Sequence, residues 1–503
     1  MTYNKIDSIT WNDLNMDEVY NRINLASSSV GSEYLLQVLH ELETDENILI
    51  NRNLKTTYFE QNPDMAQKLK KIYKKLGKTK KYTFIDYIFK LNEIKPQSNL
   101  KHIILIVLLI VAIALIFIKP VIGIIALVVM IAVNIMLYFN FRSKIEAYFN
   151  CIKYLVSMVV TADKILKEKL PKEFSDDKEE LKSAVKTFAS ERRGSWLITN
   201  SVAGSIVDVI LDYVRMIFHI DLIKFNCMQK HVVSHQDDIL SLYNVLGEIE
   251  VSMCIAEYRK DKVYCLPEFV KDSNKNTSCS NNLENQSKSV DIRLSFKDIA
   301  HPLVKVPVTN SLDVKGPILL TGSNASGKST FLKSIAINQI FAQTIYTVFA
   351  SEYKTTFFKV FSSMALADNL LKKESYFIVE IKSLKRIFDA CNEDEDMPVL
   401  CFIDEVLRGT NTKERIAASS QILKKLASKN ALVFAATHDI ELTSLLEGDM
   451  LNYHFSERIE GDNVLFDYKL KEGPSDTSNA IKLLKSFGFD QDIVEKAENM
   501  IHI

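Results

Sequence analysis

Glycine and proline are scarce in this chain, at 14 and 10 of 503 residues. Their scarcity excludes a collagen-like or low-complexity polymer and argues against a loop-rich β protein. Neither sign of charge dominates: Lys and Arg number 62 against 63 Asp and Glu, so the net charge is −1 and no overall field draws the chain to nucleic acid. Any basic surface has to be local. Cysteine pairing is missing too. Cys151, Cys227, Cys254, Cys265, Cys279, Cys391 and Cys401 are odd in number, scattered and without a C-x-x-C pair, which argues against a zinc site or a dithiol couple. Reduced thiols in a cytosolic setting follow. Residues 1–30 hold no basic start followed by an apolar run, so no secretory leader is expected. What is present is 47% hydrophobic and 25% charged residues over a length beyond a single core, which predicts a folded, helix-rich chain of several domains.

Residues 103–118 read IILIVLLIVAIALIFI, followed by Lys119-Pro120 and then VIGIIALVVMIAVNIMLYF to residue 139, with Lys119 the only charge. Each half has about the length of a minimal membrane-crossing helix, and Lys119-Pro120 supplies a turn between two antiparallel spans. Lys95 and Lys101 precede the stretch while Arg142 and Lys144 follow it. The positive-inside rule then places both outer ends in the cytoplasm. A buried hairpin in a soluble core is the plain alternative, but such helices normally carry a polar stripe, and only Asn134 offers one.

Residues 68–82, KLKKIYKKLGKTKKY, concentrate lysine shortly before this stretch. The cluster suits DNA phosphates or the anionic cytoplasmic lipid face, and its neighbourhood favours lipid; a solvated helix face is the bland reading. Residues 143–265 show long helical periodicity. Residues 271–289, KDSNKNTSCSNNLENQSKS, have one large apolar residue, Leu283, and read as a linker or mobile loop. Beyond them short apolar strands alternate with helices, the pattern of an α/β domain with a largely parallel sheet.

That last region carries the chemistry. An apolar strand at residues 318–321 runs into Gly322, Ser323, Asn324, Ala325, Ser326, Gly327, Lys328 and Ser329, a G-x-x-x-x-G-K-S loop followed by a helix that starts with Thr330 close by. Glycines let the backbone curl so that its amides face phosphate, and the helix N-terminus adds partial positive charge. Lys328 is suited to neutralise the β and γ oxygens and Ser329 to coordinate Mg²⁺. The strand VLCFIDE, at residues 399–405, ends in Asp404 and Glu405. Where a strand ends the chain is turning, so both acids can approach one γ-phosphate: Asp404 to hold Mg²⁺ through water, Glu405 to orient and deprotonate the attacking water. A third apolar strand, ALVFAATHD at residues 431–439, delivers His438 to the same sheet edge, where ligands of such sheets bind, and so positions it as a catalytic residue that senses the γ-phosphate or the attacking water.

Taken in order, Ala300-His301-Pro302-Leu303, the loop at residues 321–330, Ser375-Tyr376-Phe377-Ile378-Val379-Glu380, Asp404-Glu405-Val406-Leu407-Arg408-Gly409-Thr410-Asn411-Thr412 and Ala436-Thr437-His438-Asp439 resemble the MutS family, the ATPases of DNA mismatch repair and their relatives. The resemblance runs from about residue 293 to the end, with Tyr376 where the family has Thr and Leu407 where it commonly has Gly. It implies a dimer in which a serine, here Ser375, reaches in trans to the ATP held by the other subunit. It also implies that residues 473–501 form a helical dimerisation segment, the alternative being an amphipathic helix packed on its own domain. Residues 21–42 and 246–267 are similar to the start and end of the family's core. About twenty residues precede that core, so the mismatch-reading domain is expected to be absent.

The expected fold is multidomain. Residues 1–100 begin a MutS-like α-helical core, 101–142 form a two-helix transmembrane hairpin, 143–268 continue the core as a lever, 269–292 link, and 293–503 form an α/β P-loop NTPase domain. The expected function is a membrane-tethered, homodimeric Mg²⁺-ATPase, with both termini and the ATPase domain cytoplasmic, that moves levers against a protein partner. A DNA-binding repair protein and the ATPase half of a transporter are the rivals; against the latter, no L-S-G-G-Q lies between Lys328 and Asp404.

Overall fold

The computed structural model describes residues 4–79, 83–91, 98–192, 206–270, 293–323, 326–364, 376–393, 397–460, 463–475 and 490–501. Residue contacts divide the chain into two compact units. One comprises Met1–Ile23, Leu36–Asn53 and Tyr258–Ile503, the other Asn24–Leu35 and Leu54–Glu257.

The first unit is built on strands β1 (Glu268–Phe269), β2 (Leu294–Ile299), β3 (Asn310–Val314), β4 (Ile318–Thr321), β5 (Glu352–Thr355), β6 (Lys359–Ser363), β7 (Val399–Asp404), β8 (Ala431–Ala436), β9 (Leu451–Glu460) and β10 (Asn463–Glu472). Six of them form a sheet in the order β10-β9-β4-β8-β7-β6. Only β9 and β10 pair antiparallel in it; the rest run parallel. Its central strands are unbroken apolar runs, as strands covered on both faces must be, and β4 and β8 are buried throughout. The alternation of strands and helices did not foretell a second sheet, β1-β5-β2-β3, in which β2 lies antiparallel to both neighbours.

Helix Lys328–Thr344 is buried over most of its length despite Asn338, Gln339 and Gln343. Those amides are satisfied: Asn338 accepts the Phe349 N–H at 2.8 Å, and Gln343 donates to the Phe358 carbonyl at 3.1 Å. The chain's first helix, Ser8–Asp13, belongs to this unit as well. Thr10 Oγ1 accepts the Ser362 N–H of β6 at 3.1 Å, and Asp13 accepts the Ser362 hydroxyl at 2.7 Å.

The second unit is helical. Its axis is helix Pro120–Ile165, 46 residues long, preceded by helix Leu100–Ile118. Gly123 marks their close approach, since a Cβ there would fall 2.4 Å from the Ile116 amide nitrogen. The long helix does not stop where its composition turns polar at residue 140. No Gly or Pro interrupts residues 124–165, and their second half joins a core with Leu69, Tyr73, Phe225 and Leu246. Within that core Lys55 and Asp177 form a buried ion pair at 2.7 Å. Glu250, also buried, accepts the amides of Ser27 at 2.6 Å and Ser28 at 3.2 Å.

Among the described residues three helices are long and apolar enough to cross a membrane. Gln236–Arg259 has 72% of its apolar window buried in the fold, whereas Leu100–Ile118 and Pro120–Ile165 have 17% each. The apolar faces of the latter two are therefore left outward, with Phe117 86% exposed. Lys95, residues 271–292 of the linker expected at 269–292 and residues 476–489 of the C-terminal tail lie outside the described residues. Phe269 and Val270, at the start of that linker, instead pair with β5, the Val270 amide bonding the Thr355 carbonyl at 2.9 Å.

Candidate functional site

The strand–loop–helix unit forms because β4 is apolar and two glycines permit backbone that other residues resist. Gly322 has φ +134°, and a Cβ on it would meet the Phe455 carbonyl of β9 at 2.6 Å. Gly327, φ +102°, caps helix Lys328–Thr344 in the left-handed region. The first intrahelical bond seen here runs from the Phe331 amide to the Gly327 carbonyl at 2.9 Å. Helix geometry thus gives the amides of Lys328, Ser329 and Thr330 no intrahelical acceptor, and their partial charge faces outward from the helix start. Asn324 and Ala325 lie outside the described residues. Ser326 is buried and donates from its hydroxyl to the Ser323 carbonyl at 2.7 Å.

Lys328 is 2% exposed, and its ammonium donates to the carbonyls of Gly322 and, at 2.8 Å, Ser323. Burial pushes its pKa down to about 8, against the pull of Asp404, Glu405 and Glu457. The Ser329 hydroxyl donates to Asp404 at the end of β7. Burial raises the Asp404 carboxyl above its ordinary range, and Glu405 adds to the rise while the Ser329 hydrogen bond and Lys328 oppose it. Two hard oxygen donors so placed suit Mg²⁺, which characteristically takes one or two protein oxygens and completes its shell with water and phosphate. Among the described residues no cluster of three or more His, Cys, Asp or Glu forms a self-contained metal site.

Glu405 follows β7 with φ +59°, so the chain has turned and its carboxylate does not alternate with that of Asp404. Its amide bonds the Ala436 carbonyl of β8 at 2.9 Å. Its Oε1 lies 2.9 Å from His438 Nε2, and its other oxygen pairs with Arg408. Burial first, and the Lys328 charge second, hold the His438 pKa below 6.5, so the imidazole is neutral at pH 7 and donates to the carboxylate. The His438 loop is itself fixed: the Thr437 amide bonds the Leu320 carbonyl at 2.9 Å, and Asp439 takes Arg415 bidentately. Residues 328, 329, 404, 405 and 438 are thus gathered at the carboxyl ends of β4, β7 and β8. Ser375 lies outside the described residues, directly before helix Tyr376–Glu393.

Several neighbours had no signal in spacing. Glu457 of β9 accepts the Ser323 hydroxyl, and Arg415 supports the turn after β8. Leu407 has φ +58° and is buried, so the position where the related family commonly carries Gly holds a left-handed leucine here. Such backbone costs a non-glycine residue roughly 1–2 kcal/mol, and the surrounding contacts must hold it. Glu380, 3% exposed, is one of them: its carboxylate accepts the Arg408 amide at 3.2 Å.

Sequence comparison shows what this domain resembles. Residues 318–503 match the family model MutS domain V. The DNA mismatch repair protein MutS of Leptospira interrogans is 29% identical over 323 residues, which is 61% of this chain and 35% of that protein. Those of Lactobacillus delbrueckii subsp. bulgaricus and Thermus aquaticus are 29% and 28% identical over 290 and 214 residues, covering 55% and 42% of this chain and 31% and 26% of theirs. This chain is a relative of the MutS family. It spans about a third of the length of the curated relatives it matches.

Proposed function

We propose that the protein is a magnesium-dependent ATPase that binds ATP between the ATPase domains of two copies, is tethered to a membrane by its two apolar helices, and drives its helical core as a lever. The observation that carries the reading is the convergence of Lys328, Ser329, Asp404, Glu405 and His438 at one sheet edge. Lys328 and the helix amides hold the β and γ phosphate oxygens, Ser329 and Asp404 hold the metal, and Glu405 takes the proton of the attacking water. Bound Mg²⁺ supplies charge neutralisation on the transferred phosphate. Neutral His438 keeps the Glu405 carboxylate aimed. Dimerisation, and Ser375 reaching across it, rest on the family resemblance; binding that favours the paired state would make ATP the closing signal and hydrolysis the release.

Membrane tethering is supported by the outward apolar faces of Leu100–Ile118 and the first half of Pro120–Ile165. Basic residues at both outer ends favour cytoplasmic termini.

A second reading, nucleic-acid binding, is favoured by helix Pro63–Leu76. It turns Leu69, Tyr73 and Leu76 inward and leaves Lys68, Lys70, Lys71, Lys74 and Lys75 exposed. The Gly77 carbonyl accepts the Tyr154 hydroxyl at 3.2 Å, and Lys68 pairs with Glu168. The lysine face therefore runs along the second half of the long helix, starting about 18 Å beyond Arg142 at the ordinary helical rise. Salt screens over about 8–10 Å. A lipid surface at the apolar end would lie beyond that reach, whereas duplex phosphates could follow the face, so nucleic acid suits it better than lipid. Duplex affinity without salt dependence would remove this reading.

The decisive experiment is phosphate release by the purified full chain in detergent, beside Glu405→Gln. We expect the variant to keep ATP affinity and lose turnover by about 100-fold or more. Equal turnover in both would remove Glu405 as the base.

A further inference from the structure

We propose that Glu380 is a positioning residue for Glu405, acting through the turn at residues 405–409, so that the seating of the first turn of helix Tyr376–Glu393 sets the hydrolytic competence of the site. The inference rests on the ATPase reading and names a point of control within it.

The turn is held from three sides. The Glu405 amide bonds β8 at Ala436, and the Val406 carbonyl accepts the Ser419 hydroxyl at 3.1 Å. From the third side, the Glu380 carboxylate accepts the Arg408 amide at 3.2 Å. One turn earlier, Phe377 packs against Gly409 so closely that a Cβ there would stand 3.1 Å from the Phe377 Cβ. Helix Tyr376–Glu393 therefore touches the turn twice, at Phe377 and at Glu380, within its first turn and a half.

Two residues of this turn, Glu405 and Leu407, hold left-handed backbone that they would not keep unaided. The first two contacts fix where the turn leaves the sheet. The Glu380 carboxylate holds the Arg408 amide, the one that follows Leu407, and so governs whether the Arg408 guanidinium reaches back to Glu405. Burying a carboxylate to hold a single backbone amide carries a desolvation cost. Its placement is explained if the helix and the catalytic turn have to move as one body. A displacement of the helix start would then reach the Glu405 carboxylate directly, while the phosphate loop, on a different strand and helix, would be left in place.

The test compares Glu380→Ala, Glu380→Gln and Gly409→Ala with the wild-type full chain in detergent, reading kcat, the Kd for ATP and the thermal midpoint of each. Loss of the carboxylate is expected to lower kcat at least tenfold while Kd for ATP stays within twofold. Gln, which keeps an oxygen for the Arg408 amide, should restore most of the rate. Gly409→Ala, which wedges the helix from the turn without touching Glu380, should show the same split. An unchanged kcat in Glu380→Ala, or a fall in kcat matched by the loss of folded protein or by an equal rise in Kd, would overturn the proposal. A wild-type protein that binds ATP but shows no turnover sinks the ATPase reading and this inference together; normal wild-type turnover unmoved by all three variants sinks the inference alone.

Discussion

Buried Lys328 makes ATP affinity a function of pH in a window where most of the protein does not titrate. Its ammonium has a pKa of about 8 in the folded protein against 10.5 for an unperturbed lysine. Below pH 8 both folded and unfolded chains hold the proton, and the folded state carries the full cost of the buried charge, about 3 kcal/mol at 1.36 kcal/mol per pH unit. Between pH 8 and 10.5 the unfolded chain alone keeps its proton, so this destabilisation is relieved as pH rises. Phosphate oxygens arriving at the ammonium supply counter-charge and restore its affinity for the proton. ATP should therefore bind the protonated form, and affinity at pH 9 should be about a tenth of that at pH 7, a loss of about 1.4 kcal/mol. Titration calorimetry at pH 7, 8 and 9 and constant ionic strength reads this directly. Lys328→Arg, whose guanidinium stays charged throughout, should bind with no such slope. A wild-type affinity that is flat from pH 7 to 9 would refute the assignment of the buried cation to the phosphate.

Three further outcomes follow from the same geometry. Turnover should fall in acid as the His438 imidazole, held below its ordinary pKa by burial, gains a proton and ceases to be a neutral partner of Glu405; a pH–kcat profile unaltered in His438→Gln would exclude that role. Glu250→Ala removes the acceptor of the Ser27 and Ser28 amides and should cost about 1–3 kcal/mol in urea unfolding, with no change meaning that the buried carboxyl is not what holds this turn. The protein should remain with membranes through carbonate extraction and require detergent for release; recovery in the aqueous fraction would show that the apolar helices are covered by protein instead.

Much of the C-terminal half could be read from residue order because its signals are local. An apolar run followed by Gly322 and Gly327 at their spacing leaves few conformations other than strand, loop and helix. The apolar strands ending at Asp404 and Ala436 lie side by side, with those two residues paired across the ladder, so acids and imidazole meet. Other features were hidden for equally physical reasons. Glu380 and Arg408 lie within motifs legible in the sequence, yet what joins them is a side chain bonding a backbone amide 28 residues on. Thr10 and Asp13 bond β6 across some 350 residues of chain, a separation that periodicity does not register. The helix after Pro120 looked finished near residue 142 because polarity changes at Asn140 and Arg142. Polarity marks a new environment and not a break, and without Gly or Pro the helix runs on to Ile165.

A triphosphate and its magnesium are expected to sit among Lys328, Ser329 and Asp404. Equilibrium binding of a non-hydrolysable ATP analogue to the full chain, with and without Mg²⁺, for wild type and Lys328→Ala, tests it most directly. Saturable binding that strengthens with Mg²⁺ and is lost in the variant is the expected result; binding of equal strength in both proteins would contradict it.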